Sequence, residues 1–138
     1  MKIIVFLMTL VLGVSVWAAA EINISVNTTE KQEIGALERT VERYHYNFGL
    51  VRVNSTQYVQ YTVTNSGTTP LTFDRALIGG MGFDAYHSCD AVLAPNAKCK
   101  FEISYNPPFE GMNSGRFILS FKEDLDLVFD VTGTGSRY

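Results

Sequence analysis

Cys89 and Cys99 are the side chains of this sequence best equipped for chemistry. They bracket the loop DAVLAPNAK, with His87, Ser88 and Asp90 beside the first of them. Thiolates and imidazoles hold zinc when they come as closely spaced pairs. Here there is no CxxC and no HxxxH, and His45 is the only other histidine, so no metal or cofactor site is expected. Ser88, His87 and Asp90 have the residue types of an acyl-transfer triad. Adjacency in sequence is not triad geometry, and no Gly-x-Ser-x-Gly elbow is present. The chain therefore reads as a non-enzyme with no catalytic residues. Asp124 and Asp126 flank Leu125 and read as a solvated edge. Gly79, Gly80 and Gly82 lack the strand-then-helix setting of a phosphate loop and read as turn chemistry. Tyr44, His45 and Tyr46 form an aromatic cluster that reads first as packing and second as an interaction patch.

The fate of the cysteines depends on the compartment, which the N-terminus addresses. Lys2 is a minimal positive start, Ile3 to Val14 is apolar, and Ala18-Ala19-Ala20 fits the small-residue cleavage rule. Residues 1–20 are expected to be a cleaved signal peptide, leaving Glu21 at the mature N-terminus. The apolar run is barely long enough to span a bilayer, and nothing later approaches a span, so no membrane association is expected after cleavage. An exported chain meets an oxidising compartment, and an even cysteine count then implies a Cys89–Cys99 disulfide. Closing so short a loop is worth about 2.5–3 kcal/mol by chain entropy. The expected location is secreted or periplasmic. Removing Lys2 takes the formal charge from -3 to -4. With no basic stripe, nucleic acid is excluded as a partner.

The elements that must position these residues are strands. Val59, Tyr61 and Val63 alternate with Gln60, Thr62 and Thr64, and a period of two puts the two sets on opposite faces. Asn65-Ser66-Gly67 stops that strand, with Gly67 supplying positive φ, and Pro70 opens the next. Further runs follow at 47–53, 71–78, 83–87, 98–106, 116–121 and 125–134. Gly49 marks a bulge, Gly111 to Gly115 a turn, and Gly133 and Gly135 the end of the last strand. Together with 56–65 these make about seven strands, an all-β Greek-key sandwich over residues 44–138. Residues 21–43 read as an extension or linker. Within them Ile22, Ile24 and Val26 alternate as a short strand that serves either as an edge strand of the same sandwich or as a strand donated to a neighbour. Ile34, Leu37, Val41 and Tyr44 have the spacing of one helix face.

The stretches FGLVRVNSTQYVQYTVTNSGTTPLTF, GFDAYHSCDAVLAPNAKCKFEISYNPPFEGMNSGRFILSF and LVFDVTGTG together resemble the ASH/Hydin-type immunoglobulin-like domain, called the choice-of-anchor D domain in exported bacterial proteins. The resemblance covers Phe48 to Gly135. It rests on the order of Phe48-Gly49, Thr64-Asn65-Ser66-Gly67, Pro70-Leu71, Cys89, Pro95, Cys99, Tyr105-Asn106-Pro107 and Gly133-Thr134-Gly135; the family usually places Phe where this chain has Tyr105. The family implies an immunoglobulin-like sandwich for scaffolding or binding, with no common catalytic site. The expected function is an exported, non-catalytic module that binds another protein through a sheet face or edge. The alternative is a self-assembling homo-oligomeric subunit that donates the strand at residues 22–27.

Overall fold

Val59, Tyr61 and Val63 all point into the core, on β3 (Gln57–Asn65), in the register their alternation requires. The computed structural model describes residues 20–26 and 39–138. Their nine strands form two sheets, ordered β1-β3-β7-β5 and β2-β9-β8-β4-β6. The remaining strands are β1 (Ala20–Val26), β2 (Thr40–Arg52), β4 (Leu71–Gly79), β5 (Phe83–His87), β6 (Val92–Leu93), β7 (Lys98–Tyr105), β8 (Gly111–Phe121) and β9 (Leu125–Ser136). The fold is an immunoglobulin-like β-sandwich. Its centre is aromatic: Phe101 packs against Tyr61, Phe117 and Phe129 at centroid distances of 5.0, 5.1 and 4.6 Å, in the offset and edge-on geometries that ring quadrupoles favour.

The two strands beyond the expected seven are β1 and β6. β1 pairs in parallel with β3 of its own chain, Ile24 opposite Val63 and Val26 opposite Asn65. Ile24 and Val26 are buried there, so the strand fills its own core. β6 is a two-residue bridge to Leu71 and Thr72, too short to show any period. β2 begins at Thr40, inside the stretch expected to be linker and helix. Val41 and Tyr44 lie on this strand, paired with Asp126 and Phe129 of β9. The rest of the proposed helix, through residue 38, lies outside the described residues, as does the leader through residue 19.

Three glycine readings change. β8 starts at Gly111, where a turn was expected, and β9 runs through Gly133 and Gly135 to Ser136. A side chain at Gly133 would collide with the Tyr105 ring, and one at Gly115 would lie 2.8 Å from the Phe83 ring. These glycines are room for aromatic rings inside strands. The turn after β3 is likewise held by a side chain. Asn65 is buried; its amide donates to the Thr69 and Leu93 carbonyls at 2.9 and 3.0 Å, and its Oδ1 accepts from Gly67 N–H at 3.0 Å. Gly67 has no need of positive φ, because the Asx-type bond closes the turn. Gly49 does adopt it, at φ 73°, where the β2–β9 register shifts.

Candidate binding edge

Most of the chemically suggestive residues prove to be structural. Cys89 and Cys99 form a disulfide with Cα atoms 4.8 Å apart. His87 Nδ1 accepts from the Cys89 N–H at 3.2 Å, and its ring packs on Phe73 at 4.9 Å. The Ser88 hydroxyl donates to the Lys100 carbonyl at 3.3 Å, so no nucleophile–base pair forms there. Tyr44 and Tyr46 turn inward: Tyr44 stacks on Phe129 and donates its hydroxyl to Glu42 at 2.7 Å. Burial and that bond raise the Tyr44 pKa. His45, between them, is exposed. Among the described residues, no three His, Cys, Asp or Glu side chains gather as metal ligands.

The aspartates are more than a solvated edge. Arg39, just ahead of β2, donates to both oxygens of Asp126 at 2.7 and 3.2 Å, to Asp124 at 3.2 Å and to the Phe121 carbonyl at 3.1 Å. Thr40 N–H adds a 2.7 Å bond to the Asp124 carbonyl. This clasp fixes the start of β2 to the β8–β9 turn. The bonds from Arg39 hold the Asp126 carboxyl below its usual pKa, against the opposing effect of partial burial. A bidentate guanidinium contact of this kind is a strong, oriented one. Sequence spacing offered no sign of it, since the partners lie more than eighty positions apart.

Each sheet has two outer strands, β1 and β5 in one and β2 and β6 in the other, and where the short β6 ends β4 itself becomes an edge. β4 pairs with β8 along one side. On its other side β6 covers only Leu71 and Thr72, and the Phe73 N–H reaches the Ala91 carbonyl. From Arg75 to Gly79 no strand among the described residues pairs with that side. The segment presents alternate backbone donors and acceptors over roughly 17 Å. Leu77 and Met81 are 53% and 60% exposed there. Leu77 continues a cross-strand row through Ile118 and Val128 to Arg43 on the outer face of the sheet. A groove of about 660 Å³ runs beside it, lined by Leu77, Ile78, Gly79, Arg116, Ile118 and Asp130 among others. Arg116 and Arg43 both reach Asp130, at 2.7 and 3.8 Å, so this largely apolar groove carries a net positive rim. Gly80 lets the chain leave this edge. Its φ is 128°, and a side chain there would meet the Gly115 backbone.

Two sheets packed around an aromatic core define an immunoglobulin-like module. The chain belongs to the HYDIN/CFA65/VesB-like Ig-like domain family, whose model matches residues 40–132. No curated protein sequence matches it. Among solved structures it is similar to the ASH/PapD-like domain 7 of human CEP192, at 12% identity and a TM-score of 0.54, covering 70% of this chain and 84% of that one. It is similar to the secreted serine protease VesC of Vibrio cholerae, at 21% identity and a TM-score of 0.53, covering 64% of this chain and 21% of the protease. The VesB protease of Vibrio cholerae matches at 15% identity and a TM-score of 0.54, covering 66% of this chain and 30% of that one. The chain thus spans a fifth to a third of those proteases. At such identities the likeness is one of fold.

Proposed function

We propose that this chain is an exported, non-catalytic immunoglobulin-like module that binds another protein in the cell envelope or outside the cell, through the β4 edge. The observation that carries the reading is the uncovered segment Arg75–Gly79 with exposed Leu77 and Met81 beside it. Globular proteins blunt free edges with lysine, proline or cover. β4 has neither residue in this segment, and its bulge, between Phe73 and Arg75, comes before the open part. An extended segment of a partner would add a strand there, as in β-augmentation. Export is supported by the leader features and by a disulfide of the kind that persists in oxidising compartments.

The test is affinity capture from the native host with the wild-type protein and with Leu77→Lys/Met81→Lys, both exposed positions whose replacement spares the core. A protein retained by the wild type and lost from the double variant supports the reading. A partner retained equally by both rules out the β4 edge.

A further inference from the structure

The opposite sheet carries a second, chemically different surface. Its outward residues are Glu21, Asn23 and Ser25 on β1; Tyr58, Gln60, Thr62 and Thr64 on β3; Lys98, Lys100, Glu102 and Ser104 on β7; and Asp84 and Tyr86 on β5, as the registers place them. Apart from two tyrosines this face is wholly polar, with charges of both signs. Tyr86 is 71% exposed. It shares one cross-strand row with Glu102 and Gln60, a span of roughly 10 Å at the usual strand spacing. These three, with Ser88, Lys100 and Phe101, line a depression of about 190 Å³.

We infer that this depression binds a neutral sugar ring, with Tyr86 as the stacking platform. A pyranose presents an apolar C–H face and a rim of hydroxyls that both donate and accept. The exposed tyrosine ring supplies the first complement, since such rings offer rigid, amphipathic area with few torsions to freeze. Gln60 donates and accepts, Glu102 accepts, and Lys100 donates, which matches the second. Lys100 and Glu102 balance in charge, so the depression favours neither an anion nor a cation. Its volume is well below the ~300–1,000 Å³ of sites that enclose drug-sized ligands, so it takes one ring.

The disulfide sits where such a site needs support. Ser88 N–H donates to the Lys100 carbonyl at 2.9 Å. Cys89 follows Ser88 and Cys99 precedes Lys100, so the Cys89–Cys99 bond clamps the end of the depression where β5 and β7 part. Holding binding groups in place before the ligand arrives lowers the ordering cost of binding.

The experiment is an amide NMR titration of the mature protein with the methyl β-glycosides of glucose, galactose and N-acetylglucosamine, with glucuronic acid as a charged control. At least one neutral glycoside should shift the Gln60, Tyr86, Lys100 and Glu102 amides. Tyr86→Ala should weaken that binding about tenfold or more, a loss of about 1.4 kcal/mol, while keeping a dispersed spectrum. Tyr86→Trp, which retains a stacking face, should bind, and Cys89→Ser/Cys99→Ser should bind more weakly than wild type. The inference is overturned by no shift with all three neutral sugars, by binding unchanged in Tyr86→Ala, or by binding of the charged control alone.

Discussion

Two core tyrosines make opposite demands on their hydroxyls. Tyr105 stacks on Phe83 at 4.5 Å and donates to Asn113 Oδ1 at 2.7 Å. Tyr61 is buried just as deeply. Its hydroxyl is the one buried side-chain polar atom among the described residues that finds no partner. Burial pushes its pKa up to about 12, so it stays protonated across the physiological range. Removing an unpaired buried hydroxyl is neutral to stabilising, while removing a paired one costs about 0.5–1.5 kcal/mol. Tyr61→Phe should therefore hold or raise the urea midpoint, and Tyr105→Phe should lower it. A loss of stability in Tyr61→Phe would mean that the hydroxyl is bonded after all. The Tyr105 pair also accounts for the chain's departure from the Phe usual in its family. The glycines facing these rings could not be read from sequence, because Gly115 and Gly133 carry the same letter as a turn and only the fold reveals the ring opposite.

At the scale of the strand, period-two alternation was legible wherever one face is fully buried, as on β3, β7 and β9. It failed on β2. There the inward residues Thr40, Glu42 and Tyr44 are only half-buried at a sheet edge, and Val41 and Tyr44 happen to fall in helical phase with Leu37. The Arg39 clasp at the start of this strand gives it a pH dependence. The Asp126 carboxyl titrates below its unfolded value of about 3.9. The clasp's stabilisation is thus complete above that value and is lost as pH falls through the lowered folded-state pKa. Denaturation midpoints measured from neutral to acid pH should fall less steeply for Asp126→Asn than for wild type; equal slopes would contradict the clasp. β1 makes a separate demand. Burying Ile24 and Val26 is worth roughly 1.5–3 kcal/mol each before ordering costs. Deleting residues 21–29 should give a folded monomer of reduced stability, checked by gel filtration and urea melting. An oligomeric mature protein that becomes monomeric on this deletion would instead favour a donated strand.

At the scale of the molecule, the class of fold and the polar-versus-apolar faces were visible in the chain. The open edge was not, because which strand lies outermost depends on pairings between distant segments. β4 follows the familiar strand β3 directly, yet it crosses into the other sheet and pairs with β8, some forty residues later. Beyond β6, five residues of β4 form a stretch of edge that no described strand covers, and protein binding there is the central claim. Amide hydrogen exchange measures it directly, by comparing the purified protein alone and in the complex isolated from its host. The backbone amides of Arg75–Gly79 that point away from β8 should exchange quickly in the free protein, as unpaired edge groups do, and become strongly protected in the complex. Protection confined to other strands, or the same exchange in both states, would contradict it.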